Sequence, residues 1–185
     1  MSEFSELPEN WQAYSMELPR YIILFFNLNR EVVQDQNIRT KLANGEKLDN
    51  EINLTMVTKD DDEYLSMATD IKNQWQELGA TVEIQPRTTK ELQKEIIPSR
   101  NYDLLLYGLD YGRDPDPYPF WHSSQVTNTG LNLANFSDVD ADKLLEEARQ
   151  TNDQNVRNEK YQAFQKILDE QKPAIFLQQI SWQYA

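Results

Sequence analysis

The chain has 185 residues, 39% hydrophobic and 11% aromatic, which is typical of one globular domain or of one lobe of a larger protein. Its formal net charge of -13, with 18 Lys and Arg against 31 Asp and Glu, argues against nucleic-acid binding through phosphates. The absence of cysteine and the single histidine exclude disulfides, cysteine nucleophiles and zinc sites of ordinary spacing.

Hydropathy gives no sign of a membrane-inserted segment. The longest apolar run, YIILFF at residues 21–26, is much shorter than the roughly 20 residues of a membrane span. No apolar signal region follows Met1. We therefore expect no direct membrane insertion of this chain.

The first part of the chain predicts a lead-in, a buried strand and a short helix. Residues 1–20 are polar and contain two prolines, so we expect an irregular lead-in followed by a single α/β lobe over residues 21–185. The run YIILFFNL from Tyr21 is almost continuously apolar, which favours a strand buried on both faces. The segment DQNIRTKLANG predicts a short helix that ends at Gly45.

Residues 52–86 predict a strand, a helix and a second strand. INLTMVT at 52–58 is rich in β-formers, and TVEIQPR alternates as a strand does. Between them, from Asp61 to a capping Gly79, apolar residues recur at steps of three and four, which indicates an amphipathic helix. This order implies parallel strands joined by a right-handed crossover.

The remaining elements are a helical piece at 88–97, a strand YDLLLYGL, two helices and a last strand AIFLQQ. Each of the two helices has two candidate capping residues, Ser137 or Asp138 for the first and Asn152 or Asn155 for the second. The whole order predicts an α/β fold with a mixed, partly parallel sheet flanked by helices.

The loop YGLDYGRDPDPYPFWHSSQ at 107–125 combines acids, rings and three prolines at alternate positions, so neither helix nor strand can run through it. Rings such as Tyr111 and Trp121 offer flat area for recognition, and Asp110 or Asp114 can meet the ammonium group of a ligand. The loop follows the carboxyl end of a strand, where α/β sheets usually bind ligands. The alternative is that the rings fill the core and the aspartates cap turns.

Catalysis and metal binding are the weaker interpretations of this loop. The calcium-loop pattern fails because Gly112, Pro115 and Trp121 stand where it needs a ligand, a glycine and a glutamate. His122, beside Ser123 and Ser124, is the sole candidate for a base that activates a nucleophile, but no nucleophile-elbow motif accompanies it. We therefore expect a binding protein, with neither a metal site nor a cofactor.

Three stretches carry a resemblance to a known family: NYDLLLYGLDYGRDPDPYPFWHSSQ, GLNLANFSDVDADKLLEEAR and RNEKYQAFQKILDEQKPAIFL. In this order they resemble the family 5 solute-binding proteins of ABC importers, the oligopeptide, dipeptide and nickel class. The individual marks are Tyr102, Asp103, Asp114, Pro115, Asn132, Asn135, Asp142, Leu144, Arg157, Tyr161, Gln165 and Pro173. Upstream, FFNLNREVVQDQNIR and INLTMVT…ATDIKNQWQELGATVEI are similar to the family's second lobe.

The chain departs from the family pattern in two places. In the family a long helical stretch separates the D..IR motif from NGEKL, whereas here the two adjoin at residues 39–44. The chain also stops soon after AIFLQQ, where the family crosses back into its first lobe. The resemblance therefore implies one C-terminal lobe of a periplasmic-binding-protein type II fold, with an internal deletion and without a signal peptide.

The resemblance also implies a function: a non-enzymatic lobe that binds a peptide or other small solute for import. Asp110 then meets the ligand's α-ammonium group, and Tyr111, Asp114, Trp121 and Asn132 are expected to line the site. The implied partners of the intact protein are a second lobe and a membrane permease, and its implied location is extracytoplasmic. The alternative function is an autonomous protein-interaction domain that derives from the lobe and uses the exposed aromatic loop.

Overall fold

Five strands form one sheet in the computed structural model, which describes residues 14–112 and 116–184. The strands are β1 (Tyr14–Phe26), β2 (Ile52–Lys59), β3 (Ala80–Arg87), β4 (Leu104–Asp110) and β5 (Ala174–Tyr184). Their order across the sheet is β3-β2-β4-β1-β5. β2 runs parallel to β3 and β4, whereas β1 runs antiparallel to β4 and β5. The predicted mixed, partly parallel sheet is therefore confirmed.

Helices cover both faces of this sheet. They are α1 (Glu31–Gln34), α2 (Gln36–Asn44), α3 (Asp62–Leu78), α4 (Thr89–Glu91), α5 (Ile97–Ser99), α6 (Tyr118–Trp121), α7 (Val139–Gln150) and α8 (Gln154–Gln171). A π-helical turn, Leu92–Ile96, joins α4 to α5, and a 3-10 turn, Ser123–Gln125, follows α6. In the described part of the chain, no helix combines the length and the apolar character that a bilayer crossing requires.

The apolar run in β1 supplies two hydrophobic cores. Residues 22–26 are all fully buried, and successive side chains of a strand point to opposite faces. Ile23 and Phe25 therefore join the core under α7 and α8, whereas Ile22, Leu24 and Phe26 join the core under α3. The prediction of a strand buried on both faces is confirmed.

The unit from β2 to β3 also agrees with its prediction. Asp61 caps α3 by accepting a hydrogen bond from the backbone N–H of Glu63, and Gly79 ends it with a left-handed φ of 101°. β2 and β3 pair in parallel over their whole length, from Ile52 opposite Ala80 onward.

The predicted junction at residues 39–44 lies inside α2, and Gly45 caps that helix as expected. The internal deletion relative to the family stays a prediction.

The predicted lead-in is wrong for residues 14–20, which belong to β1, and residues 1–13 lie outside the described part. Tyr14 to Glu17 pair with Tyr184 to Ser181 of β5, and this backbone pairing outweighs the polar composition of the segment. Pro19 is accommodated because the register shifts between Glu17 and Tyr21, where a proline costs no ladder hydrogen bond.

Two capping predictions are resolved by the structure. Asp138 caps α7 by accepting from the backbone N–H of Ala141. For α8 neither Asn152 nor Asn155 is the cap, because the intervening Asp153 accepts from two backbone N–H groups of the first turn.

The side chain of Asn132 fixes the loop after β4 to the core. It is fully buried, and its Nδ2 donates to the carbonyl oxygens of Trp121, His122 and Phe136 at 3.1, 3.2 and 2.8 Å. Its Oδ1 accepts from the backbone N–H of Phe136 at 3.0 Å. One amide therefore joins two loop segments through their buried backbone groups.

We expect Asn132→Ala to lower the free energy of unfolding by about 3 kcal/mol, because it leaves several buried backbone groups without partners. Urea denaturation followed by circular dichroism measures this loss. The control is Leu131→Ala at the adjacent residue, which is 41% exposed and should change stability by less than about 0.5 kcal/mol. Equal, small effects of both substitutions would contradict the role assigned to Asn132.

Candidate functional site

Asp110 ends β4 and holds its carboxylate at the surface. Its Oδ2 accepts from Arg20 Nε at 2.7 Å, and its Oδ1 accepts from the backbone N–H of Gly112 at 2.8 Å. Both charged side chains are about half exposed, at 49% for Asp110 and 55% for Arg20. The Gly112 N–H, and after it the Arg20 guanidinium, lower the pKa of Asp110 below its ordinary value of 3.8. The carboxylate is therefore ionised at neutral pH and open to solvent.

This carboxylate lies in a wide, open groove of about 740 Å³, which we call the Asp110 groove. Its walls come from the register-shift segment of β1, the end of β4 and the middle of β5: Glu17, Leu18, Pro19, Arg20, Tyr21, Asp110, Gly112 and Gln179. Asp114 falls in the gap between the described ranges, so its predicted role stays a prediction.

Tyr111 and Trp121 hold each other through one hydrogen bond. Trp121 Nε1 donates to Tyr111 Oη at 2.9 Å, and burial raises the pKa of the Tyr111 hydroxyl. Trp121 is 1% exposed and packs against Phe25 and Phe136, with ring centroids 5.9 and 6.4 Å away. The interpretation that the rings fill the core therefore holds for most of the Trp121 surface. Its predicted role in ligand binding, like that of Tyr111, stays a prediction.

Both rings also line a second space, which we call the aromatic cavity. It measures about 360 Å³ and lies between β1, the loop, α8 and β5. Its lining residues are Tyr21, Tyr111, Pro117, Trp121, Tyr161, Phe164, Gln165, Leu168 and Phe176. Sequence reasoning missed the contribution of Tyr21, Phe164 and Phe176, because three elements far apart in the chain bring them together.

The burial of Asn132 corrects the prediction that this residue lines the site. All of its polar atoms are occupied by backbone groups, and the side chain has no exposed surface. A ligand could reach it only if those hydrogen bonds were broken. Its place in the family pattern is therefore explained here by loop architecture.

His122, Ser124 and Glu146 lie in a row, but their hydrogen bonds differ from those of a hydrolase triad. His122 Nδ1 lies 2.8 Å from Ser124 Oγ, and Nε2 lies 3.3 Å from Glu146 Oε1. Nδ1 also accepts from the backbone N–H of Ser124 at 3.0 Å, so its lone pair caps the 3-10 turn. The ring in turn stacks on Tyr118 with centroids 4.1 Å apart. These contacts hold this part of the loop against α7.

Acidic side chains elsewhere form no metal site in the part that the structure describes. Within residues 14–112 and 116–184, no group of three or more His, Asp or Glu side chains is arranged to hold a metal ion.

Comparison with known proteins gives one curated relative and several structural neighbours. No protein-family model matches the chain. The oligopeptide-binding protein AppA of Bacillus subtilis (strain 168) is 30% identical over 113 residues, which is 60% of this chain and 20% of AppA.

Solved structures match nearly the whole chain at lower identity. AppA of Bacillus subtilis in complex with a nonapeptide has a TM-score of 0.82 at 17% identity, over 95% of this chain and 47% of that one. NikZ of Campylobacter jejuni in complex with Ni(L-His) has a TM-score of 0.76 at 18% identity, over 95% of this chain and 48% of that one.

The chain thus spans about half the length of these solved structures, and its sheet and helices match one lobe of their fold. The relative with the sequence match is named for oligopeptide binding. The predicted resemblance to the family 5 solute-binding proteins, the oligopeptide, dipeptide and nickel class, is therefore confirmed for a chain that corresponds to about half of such a protein.

Proposed function

We propose that this chain is the solute-binding lobe of a peptide-importing ABC substrate-binding protein, and that Asp110 meets the ammonium group of the peptide. One observation carries the proposal: an ionised, half-exposed carboxylate stands at the carboxyl end of β4 in an open groove. Ligands of α/β sheets bind at this edge. The match to a structure that holds a nonapeptide supports a peptide as the solute.

The hydrogen bonding of Asp110 leaves room for a ligand. An ionised carboxylate offers about four acceptor sites, and Arg20 and Gly112 occupy one on each oxygen. An ammonium group can therefore bind without displacing either partner, through a charge-assisted hydrogen bond. The exposed Asp110–Arg20 ion pair contributes little to stability, so its rearrangement on binding costs little.

Binding without catalysis is the activity that the comparisons support, because the relatives are named as binding proteins. The proposed parent protein adds a second lobe across the groove and a membrane permease as partners, and it acts outside the cytoplasm. Since the chain supplies only part of the contacts, we expect millimolar rather than nanomolar affinity.

The alternative of an autonomous interaction domain receives less support. It depends on aromatic rings exposed in the loop after β4, but Phe120 and Trp121 are both buried. We therefore favour the solute-binding lobe.

The first prediction concerns the ammonium contact. We expect short peptides with free amino termini to shift backbone amide resonances of residues 108–112 in a ¹⁵N-correlation NMR titration, whereas N-acetylated peptides do not. Asp110→Asn should weaken binding roughly tenfold, because it removes the charge from the hydrogen bond. Asp49→Asn is the matched control, since Asp49 also forms an exposed ion pair, with Lys41 at 2.7 Å. Equal responses to free and acetylated peptides would refute the contact.

The second prediction concerns pH. The pKa of Asp110 lies below 3.8 in the folded chain, so the carboxylate stays charged above about pH 5 and becomes neutral as pH falls through that pKa. We expect peptide affinity to be constant from about pH 5 to pH 7 and to fall below about pH 4. In Asp110→Asn the decline at acidic pH should disappear. An acid decline that survives this substitution would assign the ammonium contact to another group.

A further inference from the structure

We infer that the aromatic cavity binds an uncharged apolar side chain, preferably an aromatic one, of the same peptide whose ammonium meets Asp110. This inference rests on the proposed function and adds to it a preference among peptides. It gives a role to a space that the resemblance and the ammonium contact leave unexplained.

The lining of the cavity selects an apolar guest. Six of its nine lining residues are aromatic, and none carries a charge. Its polar groups include the Tyr111 hydroxyl, which already accepts from Trp121, and the Gln165 amide, which already donates to Asp169. A charged side chain would lose its hydration there without gaining a counter-charge, whereas an apolar one gains burial.

The volume fits one large side chain. A dry apolar cavity of about 150 Å³ binds benzene, and ligand pockets begin at about 300 Å³. The aromatic cavity, at about 360 Å³, therefore has room for a phenyl or an indole group. Its mouth is open, because Gln165 and Phe176 at its rim are exposed.

Tyr21 connects the cavity with the Asp110 groove. It lines both spaces, and its ring meets Tyr111 and Phe176 edge-on, at centroid distances of 5.5 and 5.9 Å. Tyr111 in turn follows Asp110 directly in the chain. By the alternation of side chains along β1 and β4, Asp110 belongs to the α3 face and the cavity to the α8 face, so a peptide whose ammonium meets Asp110 reaches the cavity by passing over the end of the sheet beside Tyr21.

The walls are fixed before a ligand arrives. The Trp121–Tyr111 hydrogen bond, the Trp121–Phe176 ring contact at 6.1 Å and the buried Phe164 set their positions. A preformed apolar site avoids the entropy cost of ordering its side chains during binding, which favours measurable selectivity even in one lobe.

The test compares tri-alanine with the three tripeptides that carry one phenylalanine at each position, by the same NMR titration. We expect at least one phenylalanine peptide to bind roughly tenfold more tightly than tri-alanine and to shift the Trp121 indole N–H resonance. Gln165→Trp places a large ring at the mouth from an exposed helix position and should remove this advantage. Lys166→Trp, the exposed neighbour that does not line the cavity, should keep it.

The outcomes separate this inference from the proposed function. If Gln165→Trp and Lys166→Trp both keep the phenylalanine advantage, or if no advantage exists while Asp110→Asn still weakens tri-alanine binding, the cavity inference is wrong and the ammonium contact stands. If Asp110→Asn has no effect but the advantage is blocked by Gln165→Trp, the cavity binds an apolar group and the ammonium proposal is wrong. Thermal unfolding of Gln165→Trp at the same temperature as the unsubstituted chain verifies that the substitution leaves the fold intact, and unchanged tri-alanine affinity is expected of the control Lys166→Trp.

Discussion

The register between β1 and β4 is the constraint on which the rest of this structure depends. Residues 22–26 of β1 are completely buried, so a slip of one residue would turn each core side chain to the opposite face. The same register places Arg20 opposite Asp110 and Tyr21 opposite Leu109. Because β1 is antiparallel to β4, the residues that precede its buried run lie beside those that end β4. The core thus positions the ion pair at the groove, although neither charged residue belongs to the core.

The loop after β4 divides its side chains between architecture and surface. The Asn132 amide and His122 Nδ1 form hydrogen bonds with backbone groups, and Trp121 places most of its surface in the core. An edge of Trp121 and of Tyr111 faces the cavity, whereas the Asp110 carboxylate is exposed to solvent. Side chains that are held in place before binding favour affinity, because a mobile segment would have to be ordered during binding.

Local signals predicted the elements well, whereas long-range contacts decided what was missed. The amphipathic period and Gly79 were sufficient for α3, since a helix and its caps depend on neighbours in sequence. The early start of β1 depends on pairing with β5, more than 150 residues away, which no local pattern encodes. The cap of α8 was misassigned because Asn152, Asp153 and Asn155 all have suitable side chains, and only geometry selects among them. Within the candidate site, Asp110 could be predicted from its place after a strand, but Arg20 and Phe176 could not.

The exposure of Asp110 makes the proposed ammonium site a weak one that a covering surface would strengthen. The attraction between an ammonium and a carboxylate is weak in water and becomes stronger as the effective dielectric constant around the pair falls. Because the Asp110 side chain is 49% exposed, its attraction for an ammonium group is close to the weak attraction in water. In the proposed parent protein, a second lobe closing over the groove would remove that water, and the same carboxylate would then bind the ligand more strongly without any change in its own position. Closure and binding would be coupled through the dielectric environment of one side chain whose place the β1–β4 register fixes in advance.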